Sequence, residues 1–121
     1  MGKRNSFFSS LRHALRGIGV VLKSERNFRV QLIVGVLVLC TAVFFEVRVW
    51  EFILLILLVS SVLVLELFNS VIERMADGLK PRLQPIVRDI KDLMAGAVLV
   101  VAMTSVVIGI IIFGPYIQSL I

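Results

Sequence analysis

Apolar and polar positions divide the chain into one amphipathic segment followed by three long apolar segments. Between Ser6 and Lys23, apolar residues recur at spacings of three and four, and Arg12 and Arg16 occupy a separate face. This pattern predicts a basic amphipathic helix over about residues 6–24, which suits an anionic membrane surface. A helix packed against the protein's own transmembrane helices would show the same pattern, so the sequence leaves both interpretations open.

The three apolar segments are long enough to cross a bilayer, which takes about 20 apolar residues. Val30–Phe45 contains 16 uncharged residues, and Leu93–Ile121 contains 29. The middle segment starts at Phe52 and reaches Glu66 before its first charge. We expect transmembrane helices over about residues 29–47, 51–77 and 86–113. The expected boundaries are a tight turn over residues 46–51 with Trp50 as an interfacial anchor, Gly78 as a left-handed helix cap, and Gly114–Pro115 as the last helix end.

Composition and charge support an all-α membrane protein with a single domain over residues 1–121. The chain is 59% hydrophobic, with a mean hydropathy of +1.02, too apolar for a soluble domain. Of its 13 Lys and Arg residues, seven precede the first span, five lie between the second and third spans, and Arg48 alone lies on the other side. The positive-inside rule then places the amino terminus in the cytoplasm and the carboxyl terminus outside. We expect no cleavable signal peptide, and Cys40 is expected to pack in an apolar run.

A stripe of polar side chains marks the cytoplasmic end of the second span. At 100° per residue its members fall within about 100° of arc on one helix face. They are Glu66, Asn69, Ser70, Glu73 and Asp77. An ionised side chain in hydrocarbon costs several kcal/mol, so the stripe must face protein, water or bound ions. Hydrogen bonding between the helices of an oligomer is one interpretation, and a functional site is the other.

Antiparallel packing of the second and third spans would bring further charges to this end of the molecule. It would place Lys91 within about a turn of Glu73, and small residues at 95–97 would let the two helices approach closely. Glu25 lies at the same depth, just before the first span. The full expected cluster is Glu25, Arg29, Glu73, Asp77, Lys91 and Asp92.

This cluster contains the groups that phosphoryl transfer uses: a metal site, a cationic clamp and a base. Mg²⁺ prefers one or two carboxylates together with substrate phosphates. Lys91 offers positive charge to a polyphosphate. Glu66 lies about 10 Å deeper than Glu73, where it could accept a proton from a hydroxyl group that stays in the membrane. The sequence contains no Walker A motif, no GxGxxG motif and no His/Cys metal-ligand spacing.

These motifs resemble the prokaryotic diacylglycerol kinase and undecaprenol kinase family. The resemblance is carried by Glu66-x-x-Asn69-Ser70-x-Ile72-Glu73-x-x-x-Asp77, by Lys91-Asp92 with Ala95-Gly96-Ala97-Val98-Leu99, by Glu25-Arg26-Asn27-Phe28-Arg29, and by Phe7-Phe8-x-x-Leu11-x-x-Ala14-x-x-Gly17-Ile18. It covers roughly residues 7–112. The Glu25–Arg29 motif is most similar to the undecaprenol kinase branch.

The resemblance implies a homotrimer with active sites at subunit interfaces, in the bacterial cytoplasmic membrane. It implies ATP and Mg²⁺, and phosphorylation of a lipid alcohol at the cytoplasmic face. By motif position, Glu66 would be the proton acceptor, and Glu25 and Glu73 the metal ligands. The other implied site residues are Asn69 and Asp77 as polar members, Lys91 and Asp92 as nucleotide contacts, and Arg29 beside the lipid headgroup or phosphates.

The chain departs from the family pattern at two places that contact nucleotide in other members. Leu83-Gln84-Pro85 stands where many members carry a Tyr-His pair, and His13 stands where an aromatic is frequent. Arg82 could compensate as a nucleotide contact.

We expect undecaprenol as the substrate, with diacylglycerol as the alternative. Two other classes are a holin-like pore and a proton-coupled transporter using Glu66. A pore has no need of Lys91-Asp92 opposite Glu73, and the inverted repeat usual in transporters is absent from the sequence.

Overall fold

The chain forms four helices. The computed structural model describes residues 3–79, 81–82 and 84–121, with side chains from Ser6 onward; Lys80 and Leu83, which belong to the predicted basic loop, lie outside this description. The helices are α1 (Lys3–Ser24), α2 (Arg26–Phe44), α3 (Val49–Leu79) and α4 (Gln84–Gln118). No strand occurs among the described residues. The all-α architecture with an amino-terminal helix before three long helices is therefore confirmed.

Helices α2, α3 and α4 are each long and apolar enough to cross a membrane. Their large apolar side chains are mostly exposed, as for Leu57, Leu93 and Ile110. Apolar surface of this extent is not stable in water, whereas a bilayer solvates it. The chain is a membrane protein, as the sequence predicts.

Helix α1 combines the two arrangements that the sequence left open. Phe7, Phe8, Leu11 and Leu15 on its predicted apolar face are all exposed. Near its carboxyl end, Val21 is buried, and this part of the molecule contacts α2 and α3. The helix is thus attached to the bundle at one end and presents a free apolar face along the rest of its length.

The connection between α2 and α3 comprises residues 45–48, so the predicted turn over residues 46–51 is too long. Glu46 takes the left-handed conformation, with φ of 52°. The backbone N–H of Arg48 donates to Glu51 Oε1 at 3.0 Å, which caps the start of α3. This cap brings residues from Val49 onward into the helix.

The predicted cap at Gly78 is wrong. Gly78 is helical, α3 continues to Leu79, and no glycine among the described residues has a positive φ. The chain reverses instead at Pro81, whose carbonyl accepts a hydrogen bond from the N–H of Gln84 at 3.3 Å. A turn of this kind needs no left-handed glycine.

The predicted end of the last helix at Gly114–Pro115 is also wrong, because α4 continues to Gln118. A proline inside a helix lacks the backbone N–H that would donate to the preceding turn. The helix can still continue if the N–H groups of the following residues make their own helical hydrogen bonds. The N–H of Ser119 donates to the Pro115 carbonyl at 3.1 Å. One further turn therefore forms after the proline.

Close approach between helices occurs at Gly35 and not at the small residues of α4. A Cβ atom on Gly35 would lie 2.6 Å from Val59 Cγ1 on α3. Residues 95–97 are exposed, and a Cβ on Gly96 would meet nothing within 4 Å. The predicted close packing of residues 95–97 against another helix of the same chain is therefore wrong. Helix α4 instead turns toward its neighbours the face that contains Met94 and Val98, which are half-buried.

Candidate active site

The polar stripe of α3 lies partly in the interior of the chain. Glu66 is 8% exposed and Ser70 is 2% exposed, whereas Asn69 and Glu73 are half-buried and Asp77 is exposed. Within the described residues, no hydrogen bond joins the Glu66 carboxylate to another group.

Glu25 lies against this stripe from the break between α1 and α2. Its backbone is extended, with φ of −111° and ψ of 109°, so the chain changes direction there. The Ser70 hydroxyl donates to Glu25 Oε1 at 3.3 Å. The structure therefore brings together the upstream motif and the α3 stripe, which lie 45 residues apart in sequence.

Three carboxylates share this region. Glu25 and Glu73 lie near enough to Glu66 for their charges to act on it. Among the described residues, no group of three His, Cys, Asp or Glu side chains forms a complete metal site. Mg²⁺ commonly takes one or two carboxylates and completes its shell with phosphate and water oxygens. Glu25 and Glu73 are the residues that could hold such an ion.

Lys91 approaches the stripe from α4. Its Nζ lies 3.1 Å from Asp77 Oδ1. The sequence places Lys91 level with Glu73, and Asp77 lies one helical turn beyond Glu73, toward the α3–α4 connection. The predicted level refers to the helix backbones, whereas a lysine side chain is long enough to contact a residue one turn away. Asp92 follows on α4 and is exposed.

The two predicted arginines have different surroundings. Arg29 Nη1 donates to the carbonyls of Leu22 and Lys23, at 2.8 and 3.0 Å, and so caps the carboxyl end of α1. Arg82 is exposed in the turn between α3 and α4.

In the sequence, Arg74 stands out only as one of the five positive charges between the second and third spans. In the structure, Arg74 Nε donates to Ser70 Oγ at 3.3 Å, and Arg74 Nη2 donates to Ser24 Oγ at 3.0 Å. The four-residue spacing of Ser70 and Arg74 places them together on a helix and could have indicated this contact. The hydrogen bond from Arg74 to Ser24 joins residues that are 50 positions apart, and no sequence spacing indicates it.

Two cavities adjoin these helices. One, of about 550 Å³, lies between α1 and α3 and includes Arg16, Ser70 and Arg74 in its lining. The other, of about 530 Å³, is a largely apolar groove among α2, α3 and α4, with Gln31 as its polar lining residue besides Ser105. The cavity between α1 and α3 adjoins the polar stripe at Ser70.

Comparison with known proteins gives one family and two named relatives. The sequence model described as prokaryotic diacylglycerol kinase matches residues 12–113. The chain is 37% identical over 111 residues to the undecaprenol kinase of Bacillus subtilis, covering 92% of this chain and 90% of that protein. It is 30% identical over 112 residues to the diacylglycerol kinase of Synechocystis sp., covering 92% of this chain and 64% of that protein.

Proposed function

The chain belongs to the prokaryotic diacylglycerol kinase family, and we propose that it phosphorylates undecaprenol at the cytoplasmic face of the bacterial inner membrane. Family membership makes it a membrane lipid kinase that takes its phosphate from ATP. The choice of undecaprenol is supported by 37% identity across nearly the full length of an undecaprenol kinase. Diacylglycerol is the second candidate, supported by the family description and the Synechocystis relative. Membership of a kinase family argues against the two other classes, a holin-like pore and a proton-coupled transporter.

In the proposed reaction, Glu66 accepts the proton of the lipid hydroxyl. The hydroxyl oxygen forms a bond to the γ-phosphorus as the bond between that phosphorus and the bridging oxygen breaks, and ADP leaves. Glu66 suits this task because the residue is only 8% exposed and lies on a helix that is apolar enough to cross the membrane, from which an apolar alcohol can approach. Asn69, one turn along α3, is half-buried on the same stripe and would orient the hydroxyl.

Glu25 and Glu73 would hold Mg²⁺, and the hydrogen bond of Glu25 to Ser70, which lies three residues from Glu73 on α3, supports this assignment. When bound, the ion would neutralise charge on the phosphates of ATP. Asp77, Lys91, Asp92, Arg29 and Arg82 are the proposed nucleotide contacts. Exposure of Asp77, Asp92 and Arg82 leaves these side chains accessible to a soluble nucleotide.

We also propose a homotrimer with the amino terminus in the cytoplasm and the carboxyl terminus outside. The distribution of Lys and Arg supports the orientation. The exposed small residues 95–97 support close packing between helices of different copies.

The test is phosphate transfer by the full chain purified in detergent, with labelled ATP, Mg²⁺ and either undecaprenol or diacylglycerol. We expect higher kcat/KM with undecaprenol, and a loss of at least about 10²-fold for Glu66→Gln, since a positioned base contributes about 10²–10⁴-fold. Glu46→Gln, at the other end of the transmembrane helices, is the matched control and should retain activity. Preference for diacylglycerol would overturn the substrate, and full activity of Glu66→Gln would overturn the base.

A further inference from the structure

Side chains of α1 and α3 form a hydrogen-bond network that ends at the Glu25 carboxylate. The Ser70 hydroxyl donates to Glu25 Oε1, and its oxygen accepts a hydrogen bond from Arg74 Nε, each at 3.3 Å. Arg74 Nη2 then donates to Ser24 Oγ at 3.0 Å. One hydroxyl hydrogen and two lone pairs allow Ser70 to make both contacts at once. The contacts form a continuous network that begins at the end of α1, passes through α3 and ends at Glu25.

Glu25 depends on this network for its orientation. It is the single residue between α1 and α2, its backbone is extended, and its side chain makes no capping hydrogen bond to α2. The local backbone therefore does not determine the direction of its carboxylate. Ser70 is 2% exposed and fixed in α3, so it provides a rigid donor for Oε1.

We propose that Ser70 and Arg74 are positioning residues that hold the Glu25 carboxylate in the orientation needed to bind the metal ion. The inference rests on the proposed function, in which Glu25 is a metal ligand. Ser70 engages Oε1, so the other carboxylate oxygen is left for the cation. Arg74 acts one step farther away by holding the Ser70 oxygen and the end of α1. Outer partners of this kind orient ligands and change metal affinity without touching the metal.

A purely structural clamp would have a different effect. Loss of such a clamp would lower the melting temperature and the fraction of folded protein, but the folded molecules would bind metal normally. Loss of a positioning residue weakens metal binding by the folded protein. Measurement of metal affinity and kcat separately distinguishes the two roles.

The experiment measures Mn²⁺ binding by electron paramagnetic resonance, on the full chain in detergent with a non-hydrolysable ATP analogue. We expect Ser70→Ala to raise the Kd for Mn²⁺ about tenfold, because loss of an outer partner commonly costs 10- to 100-fold in affinity. The KM for Mg²⁺ in the kinase assay should rise in parallel, with kcat at saturating Mg²⁺ within about twofold of the original. Ser70→Thr keeps the hydroxyl and should restore binding.

Ser61→Ala is the matched control, because the Ser61 hydroxyl also lies on α3 but donates to the Leu57 carbonyl of its own helix at 2.7 Å. This variant should bind Mn²⁺ like the original chain. A folded Ser70→Ala protein with unchanged Mn²⁺ affinity would overturn the proposal.

Arg74→Ala provides a second route, because Arg74 is exposed and its truncation leaves no cavity. We expect the Kd for Mn²⁺ to rise, and the effects of Arg74→Ala and Ser70→Ala to be non-additive in the double variant. Additive effects would contradict a pathway through Ser70.

Glu25→Gln separates the two proposals. Unchanged Mn²⁺ binding by Glu25→Gln would overturn the metal assignment itself. Loss of Mn²⁺ binding by Glu25→Gln together with normal binding by Ser70→Ala and Arg74→Ala would overturn only the positioning role.

Discussion

Tyr116 donates a hydrogen bond to Glu51 Oε1 at 2.6 Å and ties the last turns of α4 to the first turn of α3. The same oxygen accepts the N–H of Arg48, so one carboxylate joins the α2–α3 connection to both helices. This contact lies at the opposite end of α3 from Glu73 and Asp77. The membrane-spanning hairpin is therefore held by polar contacts at both ends.

Replacing Tyr116 by Phe removes this hydrogen bond while keeping the ring beside Phe45. Glu51 is 8% exposed and would retain the backbone donor of Arg48 but lose the hydroxyl. We expect a melting temperature lower by a few degrees, measured in detergent by circular dichroism, with unchanged kcat below the transition. Ser119→Ala, which removes a hydroxyl bonded within the same helix end, is the control. Equal melting temperatures for the two variants would show that the contact contributes no stability.

Gly35→Ala should destabilise the contact between α2 and α3. The new Cβ would lie 2.6 Å from Val59 Cγ1, so the helices or the valine must move. Overpacking of this kind costs about 1–3 kcal/mol in free energy of unfolding. Gly109→Ala is the control, because its Cβ would meet nothing within 4 Å. Val59→Ala combined with Gly35→Ala should recover most of the loss, and no recovery would contradict the contact.

The general architecture is predictable because bilayer thickness and helix periodicity act on long stretches of sequence. The apolar segments gave three spans, and the three- and four-residue spacing of Glu66, Ser70 and Glu73 placed them on one face. The position of Glu25 beside this face followed from its expected membrane depth alone. These features depend on many residues together, so single local exceptions do not change them.

The remaining features depend on local geometry that spacing does not specify. Gly78 and Pro115 often mark helix ends, but here the helices continue because neighbouring backbone groups find partners. Residues 95–97 suggested close helix packing, yet the face that α4 turns toward α3 excludes them. The link from Arg74 to Ser24 requires the relative placement of α1 and α3, which no sequence pattern encodes.

Gly96→Leu tests the proposed trimer. A Cβ atom at this exposed position would meet nothing within 4 Å in the single chain, so we expect the fold of each copy to be retained. If residues 95–97 pack between copies, a leucine would prevent the close approach. We expect light scattering after size exclusion to show loss of the trimer. Gly17→Leu, at another open position, should leave the assembly intact, and an intact trimer of Gly96→Leu would exclude this surface from the interface.

Lys91→Gln tests whether the contact between Lys91 and Asp77 serves nucleotide binding or stability. The two side chains are 33% and 63% exposed, and exposed ion pairs contribute only about 0–1 kcal/mol to stability. The melting temperature should therefore change little. A contact to a phosphate would contribute about 1.5–3 kcal/mol, so we expect the KM for ATP to rise about 10- to 100-fold.

The control for Lys91 is Lys23→Gln, which removes an exposed positive charge at the end of α1. Equal changes in the KM for ATP for the two variants would indicate a general effect of net charge, and the KM should then depend on salt in the same way. A specific contact requires a much larger change for Lys91→Gln. The change in the KM for ATP of Asp77→Asn should lie between those of the two lysine variants, because this substitution removes one partner of the Lys91 ammonium but leaves its charge available to the phosphates.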